Sequence, residues 1–565
     1  MKYQNLYFIL CLLSAHSFVS AQQISDQDKN KFWLFDDVIS TFASEVLSPS
    51  DLAKTVIKEA LPVPQPTHPI HVQTTTDLCQ EEVSFLHNRL HYVQKHLQED
   101  FGIDQQLRMG FCCSGGGNRA MVGTLGLLSG AAKTGLIDTS LYIAGLSGST
   151  WLIAPFCYLS CSSYKHASSR QILDAIKQSY HKTLSDYSMI NIHGMHAPPL
   201  LSFESTDDFL FEISKRFAHE QPITLVNLFG SLVGDYALYL MGNDRLSERW
   251  SSIVPEIQKG HTPLPLCSSI FESNNQGWDI DYEWFEMSPL QAGSSSLGYI
   301  PVEYLGSGFQ GGYLDHNRLH HEYPISFYLG MYGSAFAVTI HDIGTMQRAL
   351  RKPVTLLRDD TIEILTKRNF LTENSFVKGF VMDLVQDIIT SRHALAYAHF
   401  PNFSQGLPTS KLKDNYDLGM FDAGIDFNIP LPAFVDRKQR DLDLIIMYDS
   451  NPAELKLLEK MQHYCISRNI PFPFIGHLSD DILRSNKLIV LNDPRIASHY
   501  NEKTPTYIYI PSNNVDIHSA PYITFNFKYS PQEVDTLVDQ VEDVVVSEIE
   551  QIKEVMRLVA QKRNS

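Results

Sequence analysis

Gly145-Leu146-Ser147-Gly148-Ser149 places a serine between an apolar run, LYIAGL, and a segment, SGSTWLIAPFCYL, whose spacing predicts a helix. At such a strand-to-helix elbow the serine Oγ is lifted clear of the backbone. The N–H groups that follow then face the oxyanion formed when the serine attacks a carbonyl. Position 149 is Ser, so the G-x-S-x-G pattern is incomplete, and taken alone such a serine is more often an ordinary turn residue. Gly115-Gly116-Gly117 follows a second apolar run, LRMGFCC, and precedes NRAMVGTLGLLSGAAKTGL, which has helical periodicity. Successive N–H groups at a helix start can face an anion. A nucleotide phosphate loop would need Gly-Lys-Ser/Thr after the glycines, and Asn118-Arg119 stands there instead. A structural tight turn and an oxyanion hole are the remaining readings, and the second also accounts for the serine elbow downstream.

Such chemistry needs a base. Phe421-Asp422-Ala423-Gly424 offers a carboxylate followed by a small residue and a glycine, which suits a tight loop able to approach the serine. Histidine is the usual base, and 22 histidines leave a triad open by composition. None has a local setting that singles it out; those of SRHALAYAHF (391–400) read as packing or lid residues. Cys157 and Cys161 could be half of a zinc site, but no Cys/His pair completes it. No metal and no cofactor is expected.

The elements that must position these residues alternate strand and helix. LRMGFCC, LYIAGL and DLDLIIMYD (441–449) are buried-strand candidates, each followed by a helical pattern. This rhythm predicts an α/β fold with a central mostly parallel sheet flanked by helices. CQEEVSFLHNRLHYVQKHLQEDF predicts an amphipathic helix ahead of the first strand, and QEVDTLVDQVEDVVVSEIEQIKEVMRLV one long helix at the end. Between about 190 and 420 the βα rhythm is lost, and the segment reads as cap or lid insertions. Within it, GYIPVEYLGSGFQGGYL (298–314) could be a membrane-facing rim or ordinary core.

SGGGNRAMVGTLGLL, YIAGLSGSTW and FDAGIDFNIPLP together resemble the oxyanion, nucleophile and aspartate segments of the cytosolic phospholipase A2 and phospholipase B catalytic domains. DLCQEE (77–82), WFEMSP (284–289), MYGSAF (331–336), NIPFPF (469–474) and TFNFKYS (524–530) extend the similarity over roughly residues 77–560. The resemblance implies a patatin/phospholipase A2-like lipase fold and a dyad of Ser147 as nucleophile and Asp422 as base. It also implies an oxyanion hole from Gly116 and Gly117, with Gly148 well placed to join them. Arg119 would bind the lipid phosphate. Arg440 would match a second headgroup arginine, although one extra residue separates it from Asp422. The implied activity is acyl ester hydrolysis of glycerophospholipids at a membrane or micelle interface, with lysophospholipase activity possible through the acyl-serine. A broad phospholipase B, a catalytically silent lipid-binding protein, and a soluble esterase or peptidase are the rival readings.

A formal net charge of -18 over 565 residues argues against nucleic acid as a partner, and against electrostatic adhesion to an anionic membrane. Lipid contact should therefore be apolar or directed at zwitterionic headgroups. Met1–Ala21 carries an apolar run, LYFILCLL, with small residues after it, and reads as a signal peptide of a secreted or periplasmic protein. Residues 22–76 read as an N-terminal extension and linker, too short for the calcium-dependent lipid-binding module of the cytosolic relatives. Residues 77–565 read as the catalytic domain. The seven cysteines after Cys11 are irregularly spaced and form no disulfide framework.

Overall fold

In the computed structural model of the protein, residues 62–185, 221–276, 279–335, 397–498, 500–513, 521–524 and 526–563 are described, with scattered positions between 191 and 220. The expected signal peptide, most of the N-terminal extension and residues 336–396 of the expected cap lie outside them. The elements below belong to the unit formed by Val63–Arg216 and Gln221–Ser565. Ile70 to Gln73, ahead of the expected boundary at 77, already pair with Leu314, Gly312 and Tyr299.

The chain enters through α1, Gln80–Phe101, which stops at Gly102 in the left-handed conformation that glycine adopts freely. The Arg89 guanidinium on its buried face donates to five carbonyl oxygens, those of Ser140, Gly260, His261, Ile137 and Asp138. One side chain thus ties α1 to the start of the second strand. Two strand–helix units follow: β1 (Met109–Cys113) with α2 (Gly117–Lys133), and β2 (Ser140–Leu146) with α3 (Thr150–Cys161). Both strands are buried at every position, which explains their unbroken apolar character. Helix α4 (Ser169–Thr183) and helix α5 (Leu225–Ala237) come next.

The middle of the chain departs from the expectation of a cap. Strands β3 (Leu264–Gln276), β4 (Asp279–Met287), β5 (Gln291–Ser294) and β6 (Gly298–Pro301) are part of the main sheet. Their antiparallel hairpins need no crossover helix, so no βα rhythm appears in the sequence. In the 298–314 segment Ile300, Val302, Leu305 and Phe309 are buried core and Tyr313 is exposed. After α6 (Ile325–Tyr332) come β7 (Ala398–Pro401), β8 (Asp417–Asp422), β9 (Leu444–Asp449) and α7 (Leu455–Ser467). The last strands are β10 (Ile489–Leu491) and β11 (Thr506–Pro511).

The sheet has eleven strands among the described residues, ordered β10-β11-β9-β1-β2-β3-β4-β5-β6, with β8 also on β3 and β7 on β8. The block β11-β9-β1-β2-β3 is parallel, as the alternation predicts, and antiparallel strands extend it on both sides.

The expected single C-terminal helix is two, α8 (Pro531–Ser547) and α9 (Ile549–Arg563), parted at Glu548. Helix α8 packs so tightly on α2 that a Cβ at Gly126 would lie 2.6 Å from the Val538 carbonyl oxygen, and one at Gly130 2.8 Å from Val545 Cβ. The β-branched run Val544–Val546 weakens the helix where that contact ends, and the chain turns to bury Ile552, Val555 and Met556.

Candidate active site

The two edges of β3 explain how residues distant in sequence meet. One edge carries β4. Along the other, β2 runs parallel to β3 and ends with Leu146 opposite Ser268. The next residue of β3, Ser269, pairs with Asp422, the last residue of β8, which arrives antiparallel from the far end. Strands β2 and β8 therefore meet head to head on one edge, and Ser147, the first residue past β2, lies at the junction with Asp422.

Ser147 has a φ of +49°, a conformation rare for a residue with a Cβ and worth about 1–3 kcal/mol of local strain. Its surroundings hold it there. Thr150 Oγ1 donates to the Ser147 carbonyl at 2.6 Å, and the Leu146 N–H donates to Ser149 Oγ at 3.1 Å. Ser149 Oγ in turn reaches the carbonyls of Leu146 and Cys113. The serine that breaks the G-x-S-x-G pattern thus staples the elbow to β1. It fits because Gly145 has no side chain: a Cβ there would stand 2.9 Å from Ser149 Oγ.

The Asp422 carboxyl accepts the Gly424 N–H at 2.8 Å, and the nearby Ser147 hydroxyl and Ala335 backbone also favour its ionised form. Both residues are nearly buried, Ser147 at 8 % and Asp422 at 2 % exposure. Burial pushes the Asp422 carboxyl up to about 6, against the opposing pull of those three donors. The Asp422 N–H donates to Ser334 Oγ at 3.2 Å, so the turn after α6 grips both backbone and carboxyl.

Gly116 and Gly117 have φ of +137° and +61° and form the entry to α2. The first N–H groups of a helix have no partner within it, which leaves this turn able to meet an anion. A Cβ at Gly148 would sit 1.9 Å from the Gly117 carbonyl oxygen, so the elbow and the glycine turn touch backbone to backbone. Gly116, Gly117, Gly148, Ser147 and Asp422 are thus brought together.

The two arginines fare differently. Arg119 stands beside the glycine turn but is buried, with Nη1 donating to the Tyr522 carbonyl at 2.9 Å and Nη2 to Asn451 Oδ1 at 2.7 Å. Desolvation lowers its pKa. Arg440 corrects the expectation of a headgroup ligand. All five of its N–H donors are taken, by both oxygens of Glu82, both oxygens of Glu286 and the Ala433 carbonyl. At 1 % exposure it is one half of a buried ion-pair cluster and has no donor left for a phosphate. Its neighbouring acids pull its pKa well above the usual guanidinium value despite burial.

Sequence reasoning missed Asn428, Ser450, Asn451 and Ser334. Asn428 and Ser334 lie inside FDAGIDFNIPLP and MYGSAF, so the segments were visible but not these roles. The seven described cysteines are all buried free thiols, and among the described residues no His/Cys/Asp/Glu group could hold a metal ion.

The sequence model described as the lysophospholipase catalytic domain matches residues 109–457. Cytosolic phospholipase A2 zeta of Homo sapiens is 28% identical over 545 residues, covering 85% of this chain and 61% of the relative. Cytosolic phospholipase A2 epsilon of Mus musculus is 24% identical over 561 residues, covering 87% and 61%. The chain thus spans about three fifths of the length of these relatives. Among solved structures, human GIVD cytosolic phospholipase A2 superposes with a TM-score of 0.67 at 22% identity, over 88% of this chain and 69% of that one. The same enzyme with methyl gamma-linolenyl fluorophosphonate gives 0.63 at 21% identity, over 88% and 67%. These likenesses fix the lipase fold. The relatives are named cytosolic, which overturns the secreted or periplasmic location expected from residues 1–21 and the signal peptide read there.

Proposed function

The chain belongs to the lysophospholipase catalytic domain family, and from that membership we propose that it is a phospholipase A2 with accompanying lysophospholipase activity. What supports the reading is Ser147, at a positive-φ elbow, set at the junction of β2 and β8 with the buried Asp422 carboxyl and against the glycine turn.

In this mechanism Asp422, ionised at neutral pH, takes the Ser147 proton as Oγ attacks the acyl carbonyl of a glycerophospholipid. The tetrahedral oxyanion is held by the N–H groups of Gly116 and Gly117, with Gly148 adjoining. Each such donor is typically worth about 10²–10³ in rate. Collapse breaks the ester C–O bond. The proton on Asp422 passes to the leaving lysophospholipid alkoxide, and the acyl group stays on Ser147. Water then attacks the acyl-serine, giving its proton to Asp422, and the fatty acid leaves as Ser147 is reprotonated. A carboxyl near 6 is a better proton acceptor than an ordinary aspartate and still mostly ionised at pH 7. Arg119 donates to the lipid phosphate by exchanging Tyr522 or Asn451 for it. A lysophospholipid with one chain enters the same cycle, so both activities share one acyl-serine. The substrate surface is a membrane met from the cytosolic side, and no step uses calcium.

The test is fatty-acid release from phosphatidylcholine vesicles and from lysophosphatidylcholine in chelator-treated buffer, for the parent, Ser147→Ala and Asp422→Ala. Both variants should fall by more than about 10³-fold. A parent inactive on both lipids, or a Ser147→Ala protein that keeps its rate, would overturn the proposal.

A further inference from the structure

The glycine turn has no side chains of its own to hold it, and glycine backbones are the most freely rotating of all. Its direction must be set from outside. Besides its neighbour Ser114 Oγ at 3.3 Å, the Gly115 carbonyl oxygen accepts from three donors across the site, Ser450 Oγ at 2.7 Å, Asn451 Nδ2 at 3.0 Å and Asn428 Nδ2 at 3.1 Å. A carbonyl has two lone pairs, so three donors saturate it. Because the peptide is planar and trans, the Gly116 N–H points opposite to the Gly115 C=O. Holding that carbonyl toward Asn428, Ser450 and Asn451 therefore aims the Gly116 N–H away from them, and rotating the peptide would break all three bonds.

Asn428 does more than the other two. Its Oδ1 also accepts the Gly115 N–H at 3.2 Å, so the side-chain amide and the glycine backbone form a reciprocal pair. The same oxygen bears on both halves of the site. A Cβ at Gly115 would lie 2.5 Å from Asn428 Oδ1 and 2.7 Å from Ser147 Cβ, and a Cβ at Gly424 would lie 3.0 Å from Asn428 Oδ1. Gly424 is the residue whose N–H binds the Asp422 carboxyl at 2.8 Å. Asn428 is thus wedged between the donor turn and the base turn. Asn451 is a second support, its amide oriented by Arg119 Nη2 on Oδ1 and by its own Nδ2 bond to Asp449.

We propose that Asn428 is the positioning residue of the oxyanion hole, fixing the direction of the Gly116 N–H and its spacing from Ser147 and Asp422. This rests on the reading of Ser147 as nucleophile and the glycine turn as oxyanion donor. Asn428 itself touches no reacting atom.

The experiment uses the full chain with Asn428→Asp, Asn428→Ala and Ser450→Ala, and Ser147→Ala as a control. Asn428→Asp keeps the acceptor for the Gly115 N–H and removes the donor to the Gly115 carbonyl. Two probes separate geometry from ordinary binding. A lipid trifluoromethyl ketone adds to a serine hydroxyl and leaves a tetrahedral oxyanion, whereas a non-hydrolysable ether phospholipid only occupies the site. For both Asn428 variants, kcat and ketone affinity should fall together by roughly 10–10²-fold, within the worth of one donor. KM and ether-lipid affinity should stay within about 3-fold, with thermal unfolding near the parent's. Ser450→Ala should show the same split at smaller size, and decides the matter if the Asn428 variants do not fold. Folded variants with parental kcat, or with both probes weakened equally, overturn the positioning role alone. Undiminished hydrolysis or unchanged ketone affinity in Ser147→Ala overturns the nucleophile reading, and the positioning role with it.

Discussion

The buried carboxyl of Asp422 gives the sharpest quantitative test. Its pKa is pushed up to about 6 by desolvation, from an ordinary 3.8. The base works ionised, so kcat/KM should rise with pH and level off above that value. At pH 5 the ionised fraction is about a tenth for a pKa near 6 and more than nine-tenths for an ordinary aspartate. A water-soluble short-chain ester assayed from pH 4.5 to 8 avoids changes in the lipid surface itself. The same group must leave a mark on stability. Below the unfolded value of 3.8 both states hold the proton, and burial carries no charge penalty. As pH rises from there to about 6, the unfolded chain has released its proton and the folded chain keeps it, so stability falls. The loss is about 3 kcal/mol in all at ~1.4 kcal/mol per pH unit, and it persists at higher pH. Asp422→Asn removes this contribution, so the variant should match the parent near pH 4 and exceed it by up to about 3 kcal/mol at pH 8, while losing catalysis. Other titrating groups cancel in that difference. A parental rate at pH 5 still near its plateau, or a stability difference that ignores pH, would refute the argument that burial governs this carboxyl.

Gly148→Ala should lower kcat by at least about 10²-fold with the fold retained by circular dichroism. The added Cβ lands 1.9 Å from the Gly117 carbonyl and must push elbow and glycine turn apart; parental activity would show that the two need not touch. Arg440→Leu leaves the buried Glu82 without its ion-pair partner, while Glu286 keeps Arg437, and should cost about 3–5 kcal/mol in denaturant titrations. Activity per folded molecule and dependence on lipid phosphate should stay as in the parent, and a headgroup role would show as a selective loss on phospholipid over neutral ester.

What the sequence revealed and what it hid divide along a physical line. Local signals survive in sequence: β1 and β2 are buried on both faces, so their apolar runs are unbroken, and the glycine turn and elbow announce themselves by residues that only a tight backbone requires. The long strand β3 hides because it serves two environments. Its first half is parallel core and its second half an antiparallel hairpin ending in Glu272-Ser273-Asn274-Asn275-Gln276. Arg440 was misassigned because a buried arginine paired to two acids looks, in sequence, like any arginine near a site. Asn428, Ser450 and Asn451 could not be seen acting on Gly115, since the contacts span 313 to 336 residues of chain.

The head-to-head meeting of β2 and β8 makes the strand ladder a ruler for the reactive pair. Sliding β8 by one residue along β3 would move its last carboxylate by about 3.4 Å and turn it to the opposite face of the sheet. The separation of nucleophile and base is therefore set in discrete steps, with no graded intermediate between an engaged pair and a broken one. Inserted or deleted residues between Asp417 and Asp422 should behave as all-or-none lesions. A substitution at the exposed start of β8, Asp417, which leaves the count of rungs unchanged, should be absorbed.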